Sequence, residues 1–481
     1  MHESVHRETR RGTPAQWTAL WCALGVLVIT ATSLTLAVVG MERDRHAQRD
    51  SKGAHVAHAA SAGSAPAFEA PWGPPAPRVK MPSFRPCTFQ NDTQDAGLVL
   101  LRGGIVYAPR HLGRRDVLVG GGRVLRIFDE AAEAEADNLL KLGLVTVVDV
   151  TDRLIVPGFV DMHVHVTGGG GESGPESKVP ESRLSDLFKG GLTTVVGILG
   201  TDSVSRTPVE LLTKINALNR SPMTAYMWTG AYKTLPEVPT VTGTVEKDIA
   251  FITPIIGTKT AISDHRSSQE DAAVLRNLVA QARVGGMLGG KAGLVYAHMG
   301  DGSAGLAPLL DVVDNTPIPI TQMLPTHMGR TQQLVTEGVE WLTRGGAIDV
   351  TASSNAPNII EQYNASVADM SRVSVSSDAY GSIPEYNAQK QLVGYDYARP
   401  DRLLAFLRTM VLSRNHDVAD VLALMTENPA RTLQVPKGRI EVGADADLLV
   451  LEPQSLEVVY SVARGMPVLT PECVAKDLFE H

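Results

Sequence analysis

His163-Val-His165 stands at the end of the apolar run Leu154-Ile-Val-Pro-Gly-Phe-Val-Asp-Met. In a strand, residues i and i+2 face the same side. The two imidazoles are therefore offered together, where a buried strand runs out into a loop. Neutral imidazole is the commonest nitrogen ligand for zinc and similar divalent ions, so the triplet points to a metal. It is not a site by itself, because such an ion needs further ligands. Lys259, His298, His327 and Asp378 are the chemically capable residues that could complete one, each lying in or just after another short β-branched run.

Those runs number eight: Phe159–His165, Thr193–Ile198, Met223–Trp228, Thr258–Ile262, Leu294–His298, Thr321–His327, Ala347–Thr351 and Arg372–Ser376. Helix-length stretches such as Pro208–Asn219, Gln269–Val284 and Thr331–Arg344 separate them. Alternation of this kind implies a parallel sheet, and eight units imply an α/β fold closed as a (β/α)8 TIM barrel. An open doubly wound sheet is the competing architecture. It is disfavoured because no Gly-X-Gly-X-X-Gly follows the first strand; the glycines Gly168–Gly171 follow the two histidines instead. In a barrel, functional side chains gather at the C-terminal ends of the strands. Four histidines, a lysine and an aspartate would then converge on one mouth.

The 481 residues are 43% hydrophobic and 20% charged, ordinary for a globular protein long enough for such a barrel with additions. A net charge of -8 and the lack of any dense Lys/Arg run argue against a nucleic-acid surface. Residues 12–41 contain no Asp, Glu, Lys or Arg, and Trp17 to Gly40 is almost wholly apolar. About 20 apolar residues span a bilayer, against about 7–15 in a signal-peptide core. The reading is thus a tail over 1–15 and a single transmembrane anchor over 16–41, with a cleaved signal as the alternative. Basic residues flank both sides, so the orientation is undecided. An Ala/Pro/Gly/Ser-rich tether follows over 42–96. Short strand-like runs over 97–156 and again over 436–481 suggest a small β-sandwich domain assembled from both ends, around a barrel over 157–435. Cys22, Cys87 and Cys473 are too few for a cysteine zinc site or a disulfide framework. Cys87 and Cys473 flank the two halves of the sheet domain, however, and would pair in an oxidising compartment if their Cα atoms lie within 7 Å.

His-X-His, a strand-four Lys, two later His and a strand-eight Asp resemble the binuclear branch of the amidohydrolase superfamily. Gly168-Gly-Gly-Gly-Glu172, Gly200-Thr-Asp, Thr229-Gly-Ala-Tyr232, Ser263-Asp-His-Arg266, Val284-Gly-Gly-Met-Leu-Gly-Gly-Lys291, His298-Met-Gly-Asp, Pro325-Thr-His-Met-Gly-Arg330 and Ser376-Ser-Asp378 narrow the match. In order and spacing they resemble the isoaspartyl dipeptidase family, metallopeptidases of the M38 type, over residues 97–465. The resemblance implies two divalent metal ions, zinc being expected. His163 and His165 would hold one with Asp378, and His298 and His327 the other. Lys259 would be carboxylated by CO2 to a bridging carbamate. Two such ions make a shared water hydroxide-like and polarise the scissile carbonyl.

The resemblance also assigns Asp378 as general base and acid, and Tyr232 as the group that stabilises the developing oxyanion. Glu172 would receive the α-ammonium of a β-aspartyl dipeptide, and Arg266 and Arg330 its carboxylates. Gly170, Thr201 and Ser382 match further substrate contacts. The implied partners are small β-aspartyl dipeptides, with the membrane reached through the anchor and a homo-oligomer left open. An N-acyl-amino-acid or cyclic-amide hydrolase on the same metals is the alternative, and Glu172 discriminates, because such substrates lack an α-ammonium. A non-catalytic scaffold is disfavoured, since all six metal positions are present.

Overall fold

The computed structural model describes residues 84–85, 87, 97–129, 132–143, 145–269, 271–387 and 392–480. Eight parallel strands form its centre: β1 (Phe159–Val164), β2 (Leu192–Gly197), β3 (Thr224–Gly230), β4 (Ile255–Ile262), β5 (Leu294–Met299), β6 (Met323–Thr326), β7 (Ile348–Thr351) and β8 (Val373–Ser376). Each falls within a few residues of its expected position. β1 to β6 make one curled parallel sheet in sequence order, while β7 and β8 pair only with each other. Single contacts stitch the two parts together. Met328 N–H donates to Asp349 O between β6 and β7, and His165 N–H donates to Ala379 O between the ends of β1 and β8. Pro325, in the middle of β6, has no N–H to give to either neighbour.

The helices show why the chain alternates. Over Pro208–Arg220, Thr207 and Glu210 form a capping box and Pro208 opens the first turn; Leu211, Ile215 and Leu218 then line the buried stripe. Helix Ala272–Gly289 starts at an Asp271 cap and stops at Gly290, which takes the left-handed conformation with φ 62°. Such packing leaves every residue of β1, β2, β4 and β5 buried.

Strands from before and after the eight central ones share a second sheet. Leu154–Pro157 runs antiparallel to Leu448–Leu451, and hydrogen bonding joins nine strands into one sheet rather than two. Cys87 and Cys473 form a disulfide with Cα atoms 5.7 Å apart.

The anchor expected over 16–41, the tail and most of the tether lie outside the described residues. Among the described residues no helix is long and apolar enough to cross a membrane. The longest, the 18-residue helix Ala272–Gly289, buries one face only and carries Arg276 and Arg283. The membrane location expected from the apolar count is overturned: no described helix can span a bilayer.

Candidate active site

The strand ends gather the expected residues around one cleft of about 170 Å³, lined by His163, His165, Tyr232, His298, His327 and Asp378 among others. Asp378 follows β8 by two residues, and its Oδ1 lies 3.2 Å from Nε2 of both His163 and His165. Potential ligand atoms of His163, His327 and Asp378 all lie within 4.8 Å of one another. His327 and Asp378 hold left-handed backbone, with φ 64° and 57°. Non-glycine residues adopt that region at a cost, and such strain gathers at functional sites. Here it turns two strand ends inward.

Burial pushes the pKa values of His163, His298 and His327 well below the ordinary histidine value, so they stand as neutral lone-pair donors. Lys259 is fully buried in β4, and its Nζ has no hydrogen-bond partner. It sits over the rings of Tyr232 and Tyr296, 5.7 and 5.5 Å from their centroids. Burial lowers its pKa to about 7. Burial also raises the Asp378 carboxyl, but His163, His165 and Lys259 outweigh it and hold the group below the usual carboxylate range. Neutral imidazoles, one anion and an unpaired neutral-leaning amine are a donor set that suits divalent cations.

His298 is brought to the cleft but not into the tight cluster. Its Nε2 lies 3.0 Å from Asp264 Oδ2 and accepts from Arg330 Nη1 at 2.9 Å. The guanidinium thus occupies the lone pair that Nε2 would otherwise offer to an ion. Tyr232 OH lies 2.9 Å from His298 Nδ1, and burial pushes the phenol's pKa up, keeping it protonated.

The charged residues form an outer arc. Glu172 accepts from Ser382 Oγ at 3.1 Å and from Thr201 Oγ1 at 3.4 Å, with Arg266 Nη1 at 3.7 Å. Arg266 makes two 2.9 Å bonds to Asp264, a fork that fixes its plane. Gly170, with φ +79°, brings backbone to this arc; a Cβ there would meet Ser177 O at 2.3 Å.

Four residues of the site carry no role in the sequence reading: Asp161, Asp264, Tyr296 and Asp349. Asp264 sits inside the quoted Ser-Asp-His-Arg run. Asp161 and Tyr296 lie two positions before His163 and His298 in their strands. A period of two puts them on the same side, one layer deeper, which is the signal that would have found them.

The Amidohydrolase family profile matches residues 341–473. The β-aspartyl dipeptidase of Fervidobacterium islandicum AW-1, solved in complex with β-Asp-Leu, is 35% identical with a TM-score of 0.74. That likeness covers 80% of this chain and 100% of the other. Dihydropyrimidinase from Brevibacillus agri shares the fold at 15% identity, with a TM-score of 0.54 over 79% of this chain and 96% of that one. A curated dihydroorotase of Listeria monocytogenes is 21% identical over 448 residues, 78% of this chain and 95% of its own length. On its strand-end residues, its fold and its likeness to the Fervidobacterium enzyme, the chain belongs to the β-aspartyl dipeptidase family of the amidohydrolase superfamily.

Proposed function

We propose that this protein hydrolyses the isopeptide bond of β-aspartyl dipeptides on a binuclear metal site. The observation that carries the reading is the outer arc: one carboxylate, Glu172, and two guanidiniums, Arg266 and Arg330, surround the His–Asp cluster. A β-aspartyl dipeptide offers the complement, one α-ammonium and two carboxylates. Guanidinium N–H groups suit the carboxylates, Arg266 acting through Nη1 because Asp264 holds its Nε and Nη2.

His163, His165 and Asp378 would hold one ion, His298 and His327 the second. Lys259, unpaired and with a pKa near 7, would attack CO2 as the neutral amine and lose a proton, giving the bridging carbamate. When bound, the two ions supply an activated water and polarise the scissile carbonyl. Asp378 takes a proton from the attacking water and returns it to the leaving amine. Tyr232, kept protonated by burial, donates to the carbonyl oxygen as negative charge develops there. Glu172 and the arginines place the substrate so that only its β-linked carbonyl reaches the reacting centre.

The dihydroorotase relatives favour a second reading, hydrolysis of a cyclic amide on the same metals. Glu172→Gln separates the two. On β-Asp-Leu, loss of the charge-assisted bond to the ammonium should lower kcat/KM by about 10–100-fold. If kcat/KM on β-Asp-Leu stays at the parent value, or if dihydroorotate is the better substrate of the parent, the dipeptidase reading fails.

A further inference from the structure

Beneath the histidines lies a buried polar layer that the reaction above does not use. Tyr296 in β5 is fully buried, and its hydroxyl donates to Asp349 Oδ2 in β7 at 2.7 Å. The same oxygen accepts from Thr326 Oγ1 at 2.6 Å and from Ser376 Oγ at 2.7 Å. Three hydroxyl groups converging on one oxygen mark it as a carboxylate acceptor. On its other side, Tyr296 OH lies 3.2 Å from His163 Nδ1.

We infer that Asp349 and Tyr296 act as positioning residues that fix the tautomer of His163, and so set how tightly one of the two ions is held; this rests on the metal reading above. A phenol has one proton. Tyr296 spends it on Asp349, so toward His163 its oxygen only accepts. The proton of the neutral imidazole must then sit on Nδ1, and Nε2 keeps its lone pair. Nε2 is the atom 3.2 Å from Asp378 Oδ1, facing the cluster. A free neutral imidazole carries its proton mainly on Nε2, which would cap the ligand atom. The Asp349–Tyr296 chain works against that preference and against the pull of the Asp378 carboxylate on an Nε2 proton. A hydrogen bond to the distal nitrogen is the usual way a protein orients a metal-binding histidine. Here the carboxylate acts through an intervening phenol.

The layer has a second effect. β6 and β7 share no ladder, yet Asp349 binds side chains from β5, β6 and β8. One carboxylate thereby joins β5, β6 and β8 below the level of the ligands.

The test uses metal-free protein labelled with 15N-histidine, with His163 assigned through His163→Gln. Long-range proton–nitrogen correlation is expected to show Nδ1 protonated and Nε2 bare in the parent, and this pattern lost in Tyr296→Phe. In zinc titration the parent should bind two equivalents. In Tyr296→Phe one equivalent should weaken by about 10–100-fold, the other staying as in the parent. Ser376→Ala, which removes a different donor to Asp349, should lower the melting temperature and leave both zinc affinities unchanged. The inference is overturned if the parent carries the proton on Nε2, if Tyr296→Phe binds both equivalents as the parent does, or if Ser376→Ala loses zinc to the same extent. Should the parent bind no zinc, the metal reading fails, while the nitrogen pattern still decides the tautomer.

Discussion

Replacing Lys259 with methionine should abolish hydrolysis and yet stabilise the metal-free protein. The Lys259 amine is fully buried with no hydrogen-bond partner. Its pKa falls from 10.5 to about 7. At about 1.4 kcal/mol per pH unit, that fall costs the fold about 5 kcal/mol when the amine is protonated in both states. Methionine fills similar space without the charge. Loss of the contacts with the Tyr232 and Tyr296 rings takes back about 1 kcal/mol, leaving a net gain of about 4 kcal/mol at pH 6. The sign of the pH dependence follows from linkage. Below about pH 7 both folded and unfolded chains hold the proton and the full cost applies. Between about pH 7 and 10.5 only the unfolded chain holds it, so the parent gains stability as pH rises. By pH 9 the advantage of Lys259→Met should shrink to about 2 kcal/mol, the folded amine then being neutral and making no cation–π contact. Urea midpoints of both proteins, stripped of metal in CO2-free buffer at pH 6 and pH 9, read this directly. A variant less stable than the parent at pH 6, or a gap that does not narrow at pH 9, would refute the reasoning.

Three further outcomes follow from the same geometry. Tyr232→Phe should lower kcat on β-Asp-Leu by about 10²–10³ with KM within a few-fold, because the donor acts on charge that develops in the transition state; a KM effect alone would count against it. Asp264→Asn frees the plane of Arg266 that two 2.9 Å bonds now fix. It should raise KM by about 10-fold or more, checked by steady-state kinetics, with the melting temperature nearly unchanged. Reduction of Cys87–Cys473, or Cys87→Ser, should destabilise the small domain by about 2–5 kcal/mol, seen as a lower melting temperature only when the thiols are free.

The eight strands were legible because each is a short β-branched run followed by a helix signal, and the mouth residues were legible because they end those runs. His298 ends its run and Asp378 follows its run by two residues, while Lys259 stands out as the one charged residue inside its run. The deeper layer was not. Tyr296 and Asp349 read as ordinary strand residues until Asp349 is seen to accept from three strands at once, a long-range fact that no local spacing carries. The break in the ladder beside β6 was also hidden, although Pro325 is a local hint of it. His298 illustrates a third limit: its position follows from the strand, but its engagement with Asp264 and Arg330 depends on side chains from two other strand ends. The membrane reading failed for a different reason: it rested on apolar content alone, and no described helix is long and apolar enough to cross a membrane.

The central claim is the match between the charged arc and a β-linked dipeptide over a two-metal cluster. Its most direct test is to incubate purified protein with β-Asp-Leu and with α-Asp-Leu side by side, measuring bound metal in the same preparation. The expected result is release of leucine from β-Asp-Leu, little or none from α-Asp-Leu, and close to two divalent ions per chain. Cleavage of neither peptide by metal-loaded protein, or a clear preference for the α-linked one, would contradict it.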